Sequence, residues 1–247
     1  MTPTRPAAHD SAAEQRLLLA DSVADFTTRG TDIARVRRLR GTPQEYDRAT
    51  WGQMAALGWL GILVPERYGG LGLGLREMAV VATGLARALT PEPLAATAVL
   101  AATALAAGDN EALKRDELPR LVAGELLPAL AWQEAAGVLD PAAIRTRAEP
   151  FEGGYRLSGT KRFISGAAQA DAFLVSAQAQ YGIVLLWLPR ATAGAGCELE
   201  PLADGRSFGT LRLQDALVPK GRVVAAGTVA AAGLGMPTKY FLSTDPA

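Results

Sequence analysis

The chain has 247 residues, of which 49% are apolar, so it is long enough to bury a core in one large or two medium domains. Its 25 lysines and arginines balance its 25 aspartates and glutamates, which argues against binding of nucleic acid or an anionic membrane. The single cysteine, Cys197, cannot form an internal disulfide, and the polar N-terminus lacks the apolar core of a signal peptide. These features predict a cytoplasmic protein.

The first half of the sequence has mainly helical patterns. After a loose leader over residues 1–12, helices are predicted over 13–28, 43–57, 76–89, 94–107 and 111–123, within a helical domain over residues 13–125. The apolar stretch 94–107 is shorter than the roughly 20 residues that cross a bilayer. It therefore predicts a buried helix and no membrane span.

Four arginines form a basic cluster between the first two predicted helices: Arg35, Arg37, Arg38 and Arg40. The favoured interpretation is the solvated face of a helix. The alternative is that the cluster lines a pocket for an anion.

The pattern changes near residue 126, where alternating segments and short apolar runs bounded by turn residues begin. Strands are predicted around 155–163, over 172–177 and 183–188, and around 210–214, where Leu211 and Leu213 share a face. The second domain, residues 126–224, is therefore predicted to be an antiparallel β domain. Residues 225–247 are predicted to form an irregular tail.

Several kinds of chemistry lack the residues they need. The only histidine is His9, in the leader, so a Ser-His-Asp or Cys-His nucleophile and a clustered zinc site are excluded, and no metal site is predicted. The glycines of 69–74 do not follow the dinucleotide-binding spacing, and Pro65 and Glu66 interrupt the approach to them. Glu134 and Asp140 could act as an acid/base pair, although lone carboxylates are more often caps or salt-bridge partners. Redox chemistry would require a cofactor.

Three segments carry a resemblance to a known family. Residues 57–74 read LGWLGILVPERYGGLGLG, 129–166 read ALAWQEAAGVLDPAAIRTRAEPFEGGYRLSGTKRFISG, and 204–223 read DGRSFGTLRLQDALVPKGRV. In order and spacing they resemble the acyl-CoA dehydrogenases. The resemblance implies an α+β fold, with an N-terminal helical-bundle domain followed by an antiparallel β-barrel domain. It also implies FAD and an acyl-CoA thioester bound between the domains.

The same resemblance assigns candidate site residues. Gln133 stands where the family has a threonine beside the flavin, and Leu139 stands where it has a serine. Phe163 and Ser165 replace the tryptophan and threonine of a Trp-Ile-Thr flavin wall; the alternative is that Phe163 is only a core residue of its strand. Further candidates are Leu130 and Trp132 for backbone contacts with the cofactor, and Arg206 and Thr210 for the substrate or a subunit contact. The alternative for Arg206 is a surface salt bridge.

The implied reaction is oxidation of an acyl-CoA to its 2-enoyl thioester, with electrons passed to an acceptor protein. In the family the base is a glutamate of a C-terminal helical domain, which residues 225–247 are too few to supply, so no catalytic residue is predicted here. Three readings remain open: a shortened dehydrogenase, a non-catalytic partner subunit that binds FAD or the acyl chain, and an acyl-CoA-binding module. Each is compatible with a homo- or hetero-oligomer.

Overall fold

The computed structural model describes residues 8–30, 33–42, 44–138, 140, 143–227 and 230. The helical half contains six α-helices within these ranges: α1 (Ala8–Gly30), α2 (Ile33–Leu39), α3 (Arg48–Ala56), α4 (Leu75–Arg87), α5 (Ala102–Ala106) and α6 (Glu111–Val122). The first begins at Ala8, inside the segment that the sequence assigned to the leader. None of the described helices is long and apolar enough to cross a bilayer.

Short side chains let the helices of this half pack closely. Helix α4 buries Met78, Val81 and Leu85, as its helical spacing predicts. A Cβ built on Gly84 of α4 would lie 2.3 Å from Cγ1 of Val23 in α1. The absence of a side chain at Gly84 therefore sets how closely α1 and α4 approach.

The glycine-rich loop folds back on the chain that precedes it. The amides of Leu71, Gly72 and Leu73 donate to the carbonyls of Gly61, Val64 and Ile62, respectively, at 2.8–2.9 Å. A Cβ on Gly70 would lie 2.0 Å from the Val64 carbonyl oxygen. These glycines permit a close backbone approach. Residues Trp59–Gly61 and Glu66–Tyr68 are 3₁₀ helices, which excludes the strand that a dinucleotide-binding loop requires.

The second half forms a sheet of eight strands, β1 (Pro128–Ala131), β2 (Arg147–Phe151), β3 (Gly154–Ile164), β4 (Ala172–Ala179), β5 (Gly182–Pro189), β6 (Ala195–Pro201), β7 (Ser207–Pro219) and β8 (Val223–Ala226). The strand order is β6-β7-β3-β2-β4-β5-β8, and β1 pairs with β4. Most neighbours are antiparallel, but β1–β4 and β2–β4 are parallel pairs.

This topology confirms the prediction of a helical domain followed by a β domain. It corrects the prediction that the β domain is a barrel. Within the described residues β6 and β8 end the strand path, so the sheet is not closed into a barrel. The sequence patterns predicted β3, β4, β5 and β7 but did not identify β1, β2, β6 or β8. The last of these includes residues 225 and 226 of the predicted tail; most of the remaining tail lies outside the described residues.

One apolar core joins the two halves. Leu105 and Leu118 from the helices belong to the same buried cluster as Leu174 and Trp187 from β4 and β5. Asp171, at the start of β4, reinforces this contact, because its carboxylate accepts from the Leu127 amide and from the Arg48 guanidinium, both at 2.9 Å. The helical half and the sheet therefore pack directly against each other beside the candidate site.

Candidate functional site

Phe163 has an unusual backbone conformation at the end of β3. The pairing of β3 with β7 shifts register between Lys161 and Ile164, and Phe163 lies at this irregularity with φ of +56°. A bulky residue at positive φ is a backbone outlier. The Phe163 ring is half-buried, whereas Ile164 is 1% exposed and belongs to the sheet core. Phe163 is thus not a simple core residue of its strand, which was the alternative from the sequence.

The ring of Phe163 lies between an aromatic and a cationic neighbour. The Phe208 ring meets it edge-on at 6.2 Å between centroids, and the Arg162 guanidinium carbon lies 4.8 Å from its centroid. Arg162 also pairs with Glu200 at 3.2 Å, and the Thr210 hydroxyl donates to the other oxygen of Glu200. Sequence reasoning missed Arg162 and Glu200, because their pairing depends on strand register.

The segment that follows β1 runs alongside Phe163. Leu130 lies within β1 and is 6% exposed, while Trp132 and Gln133 follow the strand and are half-buried. The Arg162 amide donates to the Gln133 carbonyl at 2.8 Å. This bond brings the two candidate cofactor segments together. Leu139, the remaining candidate from this region, lies outside the described residues.

A fully buried lysine holds this arrangement in place. The side chain of Lys161 is 0% exposed, and its Nζ donates to Oε1 of Glu134 at 2.7 Å, to Oγ of Ser176 at 3.0 Å and to the Trp132 carbonyl at 3.3 Å. Burial lowers the pKa of Lys161 to about 8, despite the opposing effect of Glu134. The lysine therefore links β3, β4 and the segment after β1.

Glu134 is the partner in this buried ion pair. Burial alone would raise the pKa of Glu134, but the hydrogen bond and charge of Lys161 lower it below its usual range. Its carboxylate also accepts from the amides of Arg145 at 2.7 Å and Thr146 at 2.9 Å. Glu134 is therefore engaged as a structural salt-bridge partner, the interpretation that the sequence favoured over an acid/base role.

A cavity of about 560 Å³ lies between the helical half and the sheet. Ser165 and Phe208 are on its sheet side, and Leu89, Glu92 and Leu94 are among the residues on its helical side. Ser165 is exposed, which leaves its hydroxyl accessible. A larger depression of about 690 Å³ lies between α1 and α4 and contains none of the candidate residues. The smaller cavity is the one that adjoins Phe163, through Phe208.

A π-helix borders this cavity. Residues Ala95–Ala101, predicted as the start of an ordinary helix, form a π-helical segment that continues into α5. Leu94 and Ala95 line the cavity, and the Thr97 hydroxyl donates to the Pro128 carbonyl of β1 at 3.2 Å. Such segments are rare and occur frequently at functional sites. Here the π-helix connects the cavity wall to the strand that leads to Gln133.

The two candidate substrate residues are placed differently. Arg206 is exposed, pairs with Asp204 at 2.6 Å and lines the cavity. Thr210 is 3% exposed, and its hydroxyl donates to Glu200, the carboxylate that also pairs with Arg162. Arg206 is accessible from the cavity, whereas Thr210 supports the surroundings of Phe163.

The basic cluster is not a uniformly solvated helix face. Arg35 is largely buried and pairs with Glu92, whose side chain is fully buried. Arg40 is exposed and donates to the Ala203 carbonyl at 3.0 Å, while Arg37 and Arg38 are exposed. The favoured interpretation is therefore wrong for Arg35, because its spacing gave no sign of a buried acidic partner 57 residues away.

Comparison with known proteins identifies the family of this chain. The model of the acyl-CoA dehydrogenase N-terminal domain matches residues 13–125. The chain belongs to the acyl-CoA dehydrogenase family. The resemblance seen in the sequence is thereby confirmed. Among curated relatives, the mitochondrial isovaleryl-CoA dehydrogenase of Pongo abelii is 32% identical over 194 residues, which cover 74% of this chain and 44% of the relative.

Solved structures share the fold. The ChsE4–ChsE5 complex of Mycobacterium tuberculosis has a TM-score of 0.82 at 28% identity, over 92% of this chain and 60% of that chain. An acyl-CoA dehydrogenase from Bacillus anthracis, solved with FAD, has a TM-score of 0.80 at 27% identity, over 97% of this chain and 42% of that chain. FAD, the cofactor expected from the sequence, is thus present in a relative of the same fold. The chain spans about half the length of the curated relatives it matches.

The residues of the candidate site fit a flavin. Phe163 offers a half-buried aromatic ring, Ser165 an accessible hydroxyl, and Gln133 a side-chain amide, all near one end of β3. An aromatic face and a few hydrogen-bonding groups are what a planar heterocycle with polar edges requires. No group of three or more histidines, cysteines or carboxylates suited to a metal ion occurs among the described residues.

Proposed function

We propose that this chain is an acyl-CoA dehydrogenase-like flavoprotein that takes part in oxidation of an acyl-CoA thioester to its 2-enoyl-CoA. The observation that carries the proposal is the shared location of the flavin candidates and the cavity: Ser165 and Phe208 line the cavity, and Phe208 packs on Phe163. Such a cavity, of a few hundred Å³ and lined largely by apolar groups, is suited to a small ligand.

In this proposal each candidate residue has a stated role toward FAD. Phe163 packs against the ring system, Ser165 and Gln133 donate hydrogen bonds to its polar edge, and Leu130 and Trp132 contribute backbone contacts. Leu139, which stands where the family has a serine, has no hydroxyl to donate, so that hydrogen bond to the cofactor is lost in this chain. Bound FAD, held by Phe163, Ser165 and Gln133, would supply the acceptor for the hydride of the acyl β-carbon. The Arg162 guanidinium, 4.8 Å from the Phe163 ring centroid, holds a positive charge beside the site.

The acyl group enters the cavity between the helical half and the sheet, where Arg206 contacts the substrate and Thr210 supports the site through Glu200. Each carboxylate that lines this cavity has at least one hydrogen-bond partner, although Oε2 of Glu92 has none among the described residues. Glu92 pairs with Arg35, Asp204 pairs with Arg206, and Glu45 accepts from Ser207. We therefore assign removal of the α-proton to a carboxylate outside the described residues, within hydrogen-bond reach of the bound substrate.

Flavin binding by the purified 247-residue chain tests the proposal. We expect flavin absorbance, or uptake of added FAD, and a lower FAD occupancy in Phe163→Ala and Ser165→Ala. Matched controls are Phe151→Ala in β2 and Ser158→Ala in the same strand as Phe163, both away from the cavity wall, which should retain the cofactor. A colourless chain that takes up no FAD, or equal occupancy in all four variants, would contradict the assignment.

A second candidate function is a FAD- or acyl-CoA-binding partner subunit without catalysis of its own. It is favoured by the partnered state of the cavity carboxylates and by the ChsE4–ChsE5 relative, which was solved as a complex of two proteins. Turnover of acyl-CoA with an artificial electron acceptor separates the two functions. Activity of the isolated chain supports the dehydrogenase, whereas activity only after addition of a second subunit supports the partner role.

Cellular location, assembly and the electron acceptor are part of the same proposal. We place the chain in the cytoplasm, as a homo- or hetero-oligomer that passes electrons to an acceptor protein. Size-exclusion chromatography with light scattering measures its assembly, and reduction of a purified electron-transfer flavoprotein in the presence of substrate measures the transfer.

A further inference from the structure

The ion pair of Lys161 and Glu134 lies where the two candidate flavin segments meet. Lys161 is two residues before Phe163 in β3, and Glu134 directly follows Gln133 in the segment after β1. The side chain of Lys161 is 0% exposed and that of Glu134 is 13% exposed. A buried ion pair is weak evidence for stability, because well-packed apolar residues often replace such a pair without loss. The location of this pair beside the proposed flavin therefore points to a role in the site.

Three acceptors match the three N–H groups of the lysine ammonium. Nζ of Lys161 donates to Oε1 of Glu134 at 2.7 Å, to Oγ of Ser176 at 3.0 Å and to the Trp132 carbonyl at 3.3 Å. Two of these acceptors belong to the residues on either side of Gln133, whose side-chain amide is proposed to contact the flavin. Lys161 therefore holds both flanks of Gln133 and joins them to β4 through Ser176.

A neutral lysine would hold this segment less firmly. The neutral amine has two N–H groups, so it cannot donate to all three acceptors, and the Glu134 carboxylate loses its compensating charge. Burial lowers the pKa of Lys161 to about 8, although Glu134 opposes this effect. The lysine in the folded chain therefore loses its charge in mildly alkaline solution.

The charged groups around Lys161 leave it as the group that titrates in this range. Among the described residues, Glu134 is the group whose charge acts on Lys161. Ser176 in β4 and Leu211, the register partner of Lys161 in β7, carry no charge. Arg145 donates to Glu134 through its amide, and its own side chain is exposed. Burial would raise the pKa of Glu134, but Lys161 holds it below the usual range, so Glu134 stays charged above neutral pH.

We infer that Lys161 is a positioning residue for the flavin: its charged form holds Trp132 and Gln133 in place, and FAD binds more weakly when that charge is removed. This inference rests on the proposed flavin site and adds a control of that site by protonation. Linkage is reciprocal, so FAD must in turn favour the charged lysine. Binding of FAD should therefore take up protons at a pH where the free chain has lost them.

Titrations of FAD into the purified 247-residue chain at several pH values test this inference. We expect the dissociation constant of FAD to rise about three- to tenfold between pH of about 7 and 9.5. Lys161→Met should bind FAD about three- to tenfold more weakly than the parent at pH of about 7, and its affinity should lack this pH dependence. Calorimetry in two buffers of different ionisation enthalpy should show proton uptake by the parent that Lys161→Met lacks.

Two further variants separate positioning from a purely structural role. Glu134→Gln should move the midpoint of the pH profile to lower pH, because Glu134 opposes the effect of burial on the pKa of Lys161. A lysine that only stabilised the fold would give no such shift. Lys220→Met, at an exposed lysine, is the matched control and should retain the affinity and the pH profile of the parent.

The outcomes distinguish this inference from the proposed function. A dissociation constant that does not change with pH in the parent, or a pH dependence retained in Lys161→Met, overturns the role of Lys161 while FAD binding stands. If the parent binds no FAD at any pH, the flavin proposal fails together with this inference. Circular dichroism identifies loss of fold in a variant, and the profiles of the parent and of Glu134→Gln decide the matter if Lys161→Met does not fold.

Discussion

Replacing Lys161 by methionine should destabilise the chain through the carboxylate it leaves behind. Methionine has a similar length and removes the charge, but Oε1 of Glu134, Oγ of Ser176 and the Trp132 carbonyl lose their shared donor. Removing one partner of a buried ion pair costs about 3–5 kcal/mol. Glu134 keeps two amide donors, and its side chain is 13% exposed, so we expect a loss near the lower value.

Keeping Lys161 charged inside the folded chain costs free energy, and a variant that removes both charges of the pair tests this cost. The fall of the Lys161 pKa from 10.5 to about 8 corresponds to about 3 kcal/mol against the charged form in the folded state. Lys161→Met combined with Glu134→Gln removes both charges, while the glutamine oxygen still accepts from the Thr146 amide. The double variant removes this cost, but the Ser176 hydroxyl and the Trp132 carbonyl lose their donor, so we expect it to be about 1–2 kcal/mol less stable than the parent.

Equilibrium unfolding in urea, followed by tryptophan fluorescence, measures these differences. Lys220→Met, at an exposed lysine, is the control and should change stability by less than about 0.5 kcal/mol. A loss below about 1 kcal/mol for Lys161→Met alone would refute the view that this pair secures the segment after β1. So would a double variant as unstable as the single one, because the damage would then not arise from an uncompensated Glu134.

Two further predictions concern pH and helix packing. Between pH of about 8 and 10.5 the unfolded chain retains the Lys161 proton that the native chain has lost. The contribution of Lys161 to the free energy of unfolding should therefore rise with pH, and the parent should become increasingly more stable than Lys161→Met. A difference between the two chains that stays constant with pH in urea titrations would contradict this. Gly84→Ala should destabilise the chain by about 1–3 kcal/mol through its clash with Val23. The control is Gly52→Ala in α3, where a Cβ has no neighbour within 4 Å, and it should be neutral or stabilising by up to about 1 kcal/mol. Equal melting temperatures for the two variants would refute the close approach of α1 and α4.

The sequence predicted the elements that bury several apolar residues close together in the chain. Helix α4 buries them at helical spacing, and strands β4 and β5 bury them in continuous runs, so all three can be identified locally. Strand β2 has a single buried residue, and β6 alternates only between exposed and half-buried positions, so neither has a distinctive local pattern. The open edges of the sheet likewise depend on pairing between distant strands, which local periodicity does not encode.

The glycine-rich loop shows a second limit of prediction from the sequence. A glycine-rich composition is typical of a segment that another group approaches closely, and a backbone does approach here, since a Cβ on Gly70 would lie 2.0 Å from the Val64 carbonyl oxygen. The approaching group belongs to the chain itself. A glycine cluster therefore identifies a site of close packing. The spacing of the glycines alone does not show whether the group that packs there is a ligand or the protein's own backbone.

The candidate site combines residues that the sequence could and could not supply. Phe163 and Ser165 were identified because they replace one aromatic and one hydroxyl residue by another of the same kind. Arg162 and Glu200 were missed, since they meet only through the pairing of β3 and β6 with β7. The positive φ of Phe163 is also set by that pairing, at the shift between Lys161 and Ile164. Register, and not residue identity alone, thus turns the Phe163 ring out of the sheet core and toward Phe208 at the cavity wall.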